Sequence, residues 1–122
     1  MSSDTEGLRV AAVQMCARLG EIEANCAAAE RLAGEAFAEG ARWVILPEFF
    51  TSAMAFHPSL LFSARPADGE PFALLRRLAR ENDGVVGGSF IALRREPPWP
   101  PANGDVRPDR PKVDASSGSA SR

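Results

Sequence analysis

The chain has 122 residues, which is room for one small domain, and its 45% apolar and 25% charged residues are typical of a folded globular protein. A formal net charge of −2 supplies no attraction to nucleic acid or to an anionic membrane, so we expect neither as a partner. The polar, acidic start predicts no secretory signal, and no apolar run reaches the roughly 20 residues that span a bilayer. We therefore expect a cytoplasmic protein.

Strand and helix patterns alternate over residues 8–93. Apolar runs predict strands at residues 8–15, 43–46 and 85–93. Apolar residues at steps of three and four predict helices at residues 21–39 and 71–82. Gly40 suits the C-cap of the first helix and Pro71 the first turn of the second. The predicted buried stripes are Ile22, Cys26, Ala29, Ala33, Ala36 and Phe37 in the first helix, and Phe72, Leu75, Leu78 and Ala79 in the second.

This alternation predicts an α/β fold with parallel strands joined by right-handed crossovers. If the strands lie in sequential order, both crossover helices fall on the same face of the sheet. The strands are apolar on both faces, so both faces need cover. Nothing in the chain is left to cover the second face, and a further layer of structure from elsewhere is implied.

The composition changes at about residue 94. The tail of residues 94–122 contains no Leu, Ile, Phe or Met and holds six of the ten prolines. So little apolar surface cannot offset the entropy lost on ordering. We therefore predict a disordered tail, with an extended conformation at residues 97–101.

Glu48 is the leading functional candidate. It follows the apolar strand of residues 43–46 directly after Pro47, at the carboxyl end of the strand. Open α/β sheets place their chemistry at that edge. A carboxylate there would be partly desolvated, which favours its use as a base. The structural alternative is a glutamate that caps a helix or forms a salt bridge at a strand end.

Several segments together resemble the opening third of the carbon–nitrogen hydrolase (nitrilase) superfamily. The segments, in order, are VAAVQM at residues 10–15, Gly20, Asn25, GARWVILPEFFTS at residues 40–52 and VGGSF at residues 86–90. The resemblance covers about residues 8–93 and implies a partial α-β-β-α sandwich, in which two sheets pack face to face with helices outside. Residues 94–122 fall outside it.

The resemblance also implies a chemistry. Members of the family cleave small amides or nitriles, without a cofactor or metal, through a Glu, a Lys and a Cys. The cysteine attacks the carbon, the glutamate takes the thiol proton and later activates water, and the lysine stabilises developing charge. Glu48 matches the family's base. Relatives commonly dimerise through a helical face, so a homo-oligomer is expected.

The other two catalytic groups do not transfer to this chain. Lys112, the single lysine, lies in the predicted disordered tail, where it cannot be held at a reacting centre. The family cysteine would lie beyond residue 122. Cys16 follows the first strand, near the predicted edge of Glu48, but we interpret it as a small buried thiol, and Cys26 as a core residue. Neither cysteine has zinc or redox spacing, so both are expected to be free thiols.

Two further features each have two interpretations that the sequence leaves open. His57 lies in a loop that resembles the family's substrate-side loop; it shapes a pocket mouth or is a surface histidine. Gly87 and Gly88 either let the strand pack closely beside the site or mark a bulge. No second histidine or carboxylate cluster predicts a metal site, and no glycine-rich loop between strand and helix predicts a nucleotide site.

The chain departs from the family pattern at Arg94, where a Pro/Arg/Ser/Gly-rich ending replaces the expected hairpin. A shifted reading frame is one hypothesis for this ending. The sequence therefore predicts a truncated carbon–nitrogen hydrolase that is inactive by itself, because its nucleophile is missing. The alternative is a non-catalytic interaction module that uses its open sheet face or its proline-rich tail.

Overall fold

The computed structural model describes residues 7–93 and the backbone of residues 113–121. Its strands are β1 (Val10–Ala12), β2 (Trp43–Ile45), β3 (Arg65–Pro66), β4 (Val85–Leu93) and β5 (Val113–Ser121). Its helices are α1 (Ile22–Ala38), α2 (Glu70–Glu81) and a 3₁₀ helix over Pro58–Ser63. Both predicted helices are present within one residue of their expected ends, and β4 has its expected bounds.

The described strands form one sheet in the order β1-β2-β4-β3, with β5 on the remaining edge of β4. The strands β1, β2 and β4 are mutually parallel, as predicted. Because β5 pairs with β4 along its whole length, β2 and β3 share the other edge of β4, with β3 opposite its last two residues. The expected α/β class with a parallel sheet is confirmed.

The two helices end in the same way. In α1, the amide of Gly40 donates to the carbonyl of Phe37 and that of Ala41 to the carbonyl of Ala36, with Gly40 at φ 100°. These two hydrogen bonds form the Schellman motif, in which glycine is favoured because the left-handed conformation crowds a Cβ. The end of α2 repeats the arrangement with Asp83 at φ 50°. The predicted cap at Gly40 is therefore present.

The hydrophobic core lies between the sheet and the two helices. Val44 of β2 and Val86 of β4 are fully buried on this face. The Arg77 guanidinium of α2 donates to the Glu30 carboxylate of α1 at 2.8 Å, so the helices lie side by side. Both therefore cover the same face of the sheet, as the crossover argument requires. The other buried apolar residues of this core are Ala29, Ala33, Leu46, Phe50, Leu74, Leu75, Leu78, Ala79, Phe90 and Ala92.

The opposite face of β1, β2 and β4 is apolar and exposed. Val10 and Trp43 are paired in register, and their exposed fractions are 54% and 44%. Ile45, two residues further along β2, is 41% exposed. We call this surface the open face. It is formed by the two registered rows Val10–Trp43–Val85 and Ala12–Ile45–Gly87.

Several parts of the sheet differ from the sequence prediction: β2 ends one residue early, and β3 was not predicted. β1 is shorter than residues 8–15, because its ladder ends with the three residues of β2. Residues 113–121, expected to be disordered, instead pair antiparallel with β4. A ladder is made by backbone groups, so the unpaired edge of β4 accepts a Ser/Ala/Gly-rich segment that has few apolar side chains. The rest of the predicted tail, residues 94–112 and 122, lies outside the described residues.

Candidate functional site

The candidate site is at the carboxyl edge of the parallel strands. Beyond the last residue of β2, the amide of Leu46 still donates to the carbonyl of Gly87 at 2.7 Å. The amide of Val13, just past β1, donates to the carbonyl of Ile45 at 2.8 Å. Glu48 follows two residues after Leu46, so it stands at the sheet edge that the sequence predicted.

Ser89 of β4 fixes the turn that carries Glu48. The amide of Phe49 donates to Ser89 Oγ at 2.9 Å, and the amide of Phe50 donates to the Ser89 carbonyl at 3.1 Å. Phe49 has φ 50°, a left-handed conformation that is unfavourable for a bulky residue. The two hydrogen bonds and the burial of Phe50 hold this strained turn in place.

Gly88 lets the same turn pack against the sheet. A Cβ at position 88 would lie 3.0 Å from Phe50 Cδ1 and 3.1 Å from Leu46 Cβ, which is tighter than most Cβ contacts, so these neighbours would have to shift slightly. The register of β4 with β5 runs without interruption through Gly87 and Gly88. Of the two interpretations of this glycine pair, close packing beside the site is therefore the one that the geometry supports for Gly88, and β4 has no bulge there.

Asn25 connects this turn to α1. Its Oδ1 accepts from the Arg18 amide at 2.8 Å, and its Nδ2 donates to the carbonyls of Arg18 and Thr51 at 2.7 and 2.8 Å. The side chain is buried, so these three bonds form away from water. The sequence did contain a signal: Asn25 is a polar residue on the buried stripe of α1, between Ile22 and Ala29. Sequence reasoning did not assign a role to it or to Ser89.

The Glu48 side chain itself is exposed. The partial desolvation expected from its position after a buried strand is therefore absent in this chain. The strand buries its neighbours against the helices, whereas Glu48 lies beyond that core with no described layer above the open face. Next to the turn, the buried Oγ1 of Thr51 has no hydrogen-bond partner among the described residues.

The cysteines and the lysine do not complete a catalytic set in the described residues. Cys16 is exposed, so its interpretation as a buried thiol is wrong; it lies past β1, outside the helix-covered core. Cys26 is half-buried on α1, and burial, with the nearby Glu70 carboxylate, raises the pKa of its thiol to about 11. Such a thiol is protonated and unreactive at neutral pH. Lys112 lies outside the described residues.

His57 has a structural role at the surface. It is the N-cap of the 3₁₀ helix, where its Nδ1 accepts from the Ser59 amide at 3.2 Å and lies 2.6 Å from Ser59 Oγ. This supports the surface interpretation of His57 over a pocket-mouth role. Over residues 7–93 and 113–121, no three His, Cys, Asp or Glu side chains gather in a way that could hold a metal ion.

Comparisons with known proteins identify the family of this chain. The sequence profile of the carbon–nitrogen hydrolase family matches residues 9–106, most of this chain. The fold is similar to the crystal structure of a CN-hydrolase superfamily protein from Xanthomonas campestris that has an arsenic adduct in its active site. The TM-score is 0.64 and the identity 28%, over 72% of this chain and 32% of that one. No curated protein gives a significant sequence match.

This chain belongs to the carbon–nitrogen hydrolase family, which is what its strand–Pro–Glu turn and the resemblance of its motifs indicated. It spans about a third of the length of the solved relative. None of the helices in the described residues is long and apolar enough to cross a membrane.

Proposed function

We propose that this chain carries the general-base glutamate of a carbon–nitrogen hydrolase site, Glu48, and that the chain alone does not hydrolyse amides or nitriles. The observation that carries the first part is the Glu48 turn. It lies at the carboxyl edge of the sheet, within the residues that match the family, and two hydrogen bonds to Ser89 hold it. A base must be held in a fixed geometry relative to the proton it takes.

The second part follows from the chemistry that the site lacks. Hydrolysis through a covalent intermediate needs a thiolate within reach of the base and a cation for the developing charge. Cys26 faces the core with a raised pKa, and Cys16 is exposed beyond β1. The open face beside Glu48 also admits water, which weakens every electrostatic interaction there.

The proposal includes truncation, with the lysine and cysteine elements encoded in another reading frame after residue 94.

A chimera tests the role of Glu48 directly. Residues 8–93 would be joined to the part of the Xanthomonas campestris protein that follows its matched segment, and circular dichroism would check folding. The folded chimera should hydrolyse a small amide, and Glu48→Gln should lower kcat by at least about a thousandfold, because the thiol proton has no acceptor.

The matched control is Glu23→Gln, on the exposed first turn of α1, which should leave the chimera's rate unchanged. A chimera whose rate is indifferent to Glu48→Gln would contradict the assignment of the base. An inspection of the gene in its other frames after codon 94 tests the truncation, since it should reveal a strand followed by a family-like cysteine.

The open face favours a second candidate function, a non-catalytic interaction module. Exposed apolar residues that adjoin one another usually mark a binding surface. A module of this kind should be monodisperse and unfold cooperatively in urea, whereas a bare fragment should aggregate or lose its fixed packing. Urea unfolding followed by both tryptophan fluorescence and circular dichroism distinguishes the two, since coincident transitions indicate a module.

A further inference from the structure

We propose that the outer edge of β4 is a binding site for an extended peptide, and that β5 is the resident and exchangeable occupant of this site. The outer edge is the side of β4 that lies away from β2, formed by the backbone of Val86, Gly88, Phe90 and Ala92. Its ligand is an antiparallel strand, recognised through main-chain hydrogen bonds. This inference concerns the backbone of β4 and does not depend on the catalytic role of Glu48.

The hydrogen bonds on the β2 side of β4 define which groups reach the outer edge. The amide of Val85 donates to the carbonyl of Arg42 at 2.9 Å, and the amide of Leu46 donates to the carbonyl of Gly87 at 2.7 Å. The odd-numbered residues of β4 therefore face β2. Because the backbone groups of successive residues in a strand point to opposite sides, the even-numbered residues present their amides and carbonyls to the outer edge.

β5 meets these groups with its own backbone. The register places Ser116 opposite Phe90 and Gly118 opposite Gly88, so these residues form the hydrogen-bonded pairs of the ladder. Seven of the nine residues of β5 are Ser, Ala or Gly. A ladder joins backbones, so the outer edge selects an extended conformation and a direction more than a sequence. Another peptide that can extend therefore fits the same edge.

Two features of the sequence make β5 a weakly held occupant. Ala, Gly and Asp, which are depleted in strands, make up four of its nine residues. The connection between β4 and β5 is residues 94–112, whereas ordinary hairpin loops have about two to five residues. Closing a longer loop costs more conformational entropy. We therefore expect β5 to open while the parallel strands stay folded, which leaves a row of unpaired groups for another strand.

Hydrogen exchange in the native full chain tests this opening, with two neighbouring glycines as a matched pair. The Gly88 amide faces β5, whereas the Gly87 amide faces β2. The Gly88 amide should exchange at least about tenfold faster than the Gly87 amide, and more slowly than in an unfolded chain. Equal protection would show that β5 leaves only on global unfolding, and an unprotected Gly88 amide would show that β5 does not reside there. Either result would overturn the proposal.

Binding is tested with a synthetic peptide of residues 113–121, titrated into the ¹⁵N-labelled full chain while the Gly88 amide resonance is followed. Ser116→Pro removes an amide that faces β4 and should release the resident strand. Ser117→Pro is the matched control, because its amide points away from β4. The peptide should bind the Ser116→Pro chain with a Kd at least about tenfold lower than that of the native and Ser117→Pro chains, where the resident strand competes.

The peptide carries a second control. A peptide with Ser116→Pro should not bind the released edge, whereas one with Ser117→Pro should bind like the native sequence, since only alternate amides face β4. Absence of binding to the Ser116→Pro chain, or equal binding of the two proline peptides, would contradict a main-chain recognition site. Circular dichroism checks the fold of the Ser116→Pro chain. A chain that unfolds on this substitution would show that β5 is integral to the fold and not exchangeable.

Discussion

The two faces of the parallel strands have nearly the same composition and opposite surroundings. Val44 and Val86 are fully buried beneath the helices, whereas Val10 and Ile45 are apolar but exposed. Strand sequence alone does not distinguish the faces, because both parities are apolar. The difference arises from the crossover connections, which place α1 and α2 on one side. Stability is therefore concentrated on the helix side, whereas the open side leaves apolar side chains exposed.

The largest expected effect separates the two faces directly. Leu75→Ala should lower the free energy of unfolding by about 3 kcal/mol, because it leaves a cavity in a fully buried site of α2. Ile45→Ala on the open face should cost about 1 kcal/mol or less, because its side chain is already partly in water. Urea unfolding measures both free energies. Equal losses of unfolding free energy in Leu75→Ala and Ile45→Ala would contradict the difference between the two faces.

The next effect concerns the link between α1 and the Glu48 turn. Asn25→Ala should cost about 2 kcal/mol, because it leaves two carbonyls and one amide without their side-chain partner. The control is Asn82→Ala, which removes one bond, from Nδ2 to the Leu78 carbonyl, at a partly exposed site. Urea midpoints should show the larger shift for Asn25→Ala. A shift no larger than that of Asn82→Ala would show that the network does not hold the turn.

Neighbouring glycines give a smaller and sharper contrast. Gly88→Ala faces the helix side, where its Cβ meets Phe50 and Leu46, and should cost about 1.5 kcal/mol through overpacking. Gly87→Ala faces the open side, where the nearest atom is Ile45 Cδ1 at an ordinary 3.5 Å, and should be nearly neutral. The two variants share a strand, so the difference between their unfolding free energies reports packing alone. A larger loss of unfolding free energy for Gly87→Ala than for Gly88→Ala would show that the crowding lies on the open face.

The smallest effect is the pH dependence of the ion pair between the helices. The hydrogen bond from Arg77 lowers the pKa of Glu30. The pair therefore contributes its full stability above the ordinary glutamate pKa of about 4.3, and this is lost as pH falls through the lowered value. Both side chains are about half exposed, so the contribution is below about 1 kcal/mol. Unfolding free energies at pH 7 and pH 3 should differ less in Glu30→Gln than in the native chain; an equal difference would contradict this.

Much of the fold could be predicted from the sequence where a pattern repeats. The three-and-four spacing of Ile22, Ala29 and Ala33 defined α1, and the apolar run of residues 85–93 matched β4. The 3₁₀ helix and β3 were missed, because the six and two residues of these elements carry no periodicity. β5 could not be predicted, since its pairing depends on the free edge of β4 and its own side chains are weak strand formers.

The candidate site could be predicted in position but not in environment. The run from Trp43 to Glu48 indicated the correct sheet edge, because a strand must end where the chain turns polar. The exposure of Glu48 could not be predicted from its own strand, since it depends on what covers the open face. Ser89 and Asn25 act through long-range hydrogen bonds to the turn, and no local spacing reveals such bonds.

The central claim is that this chain holds a positioned base without a nucleophile in reach. Hydrolysis of a panel of small amides and nitriles by the purified chain, measured beside Glu48→Gln, tests that claim most directly. We predict that both proteins release product no faster than buffer, because the covalent route cannot begin without a thiolate. Turnover by the native chain that Glu48→Gln abolishes would contradict the account.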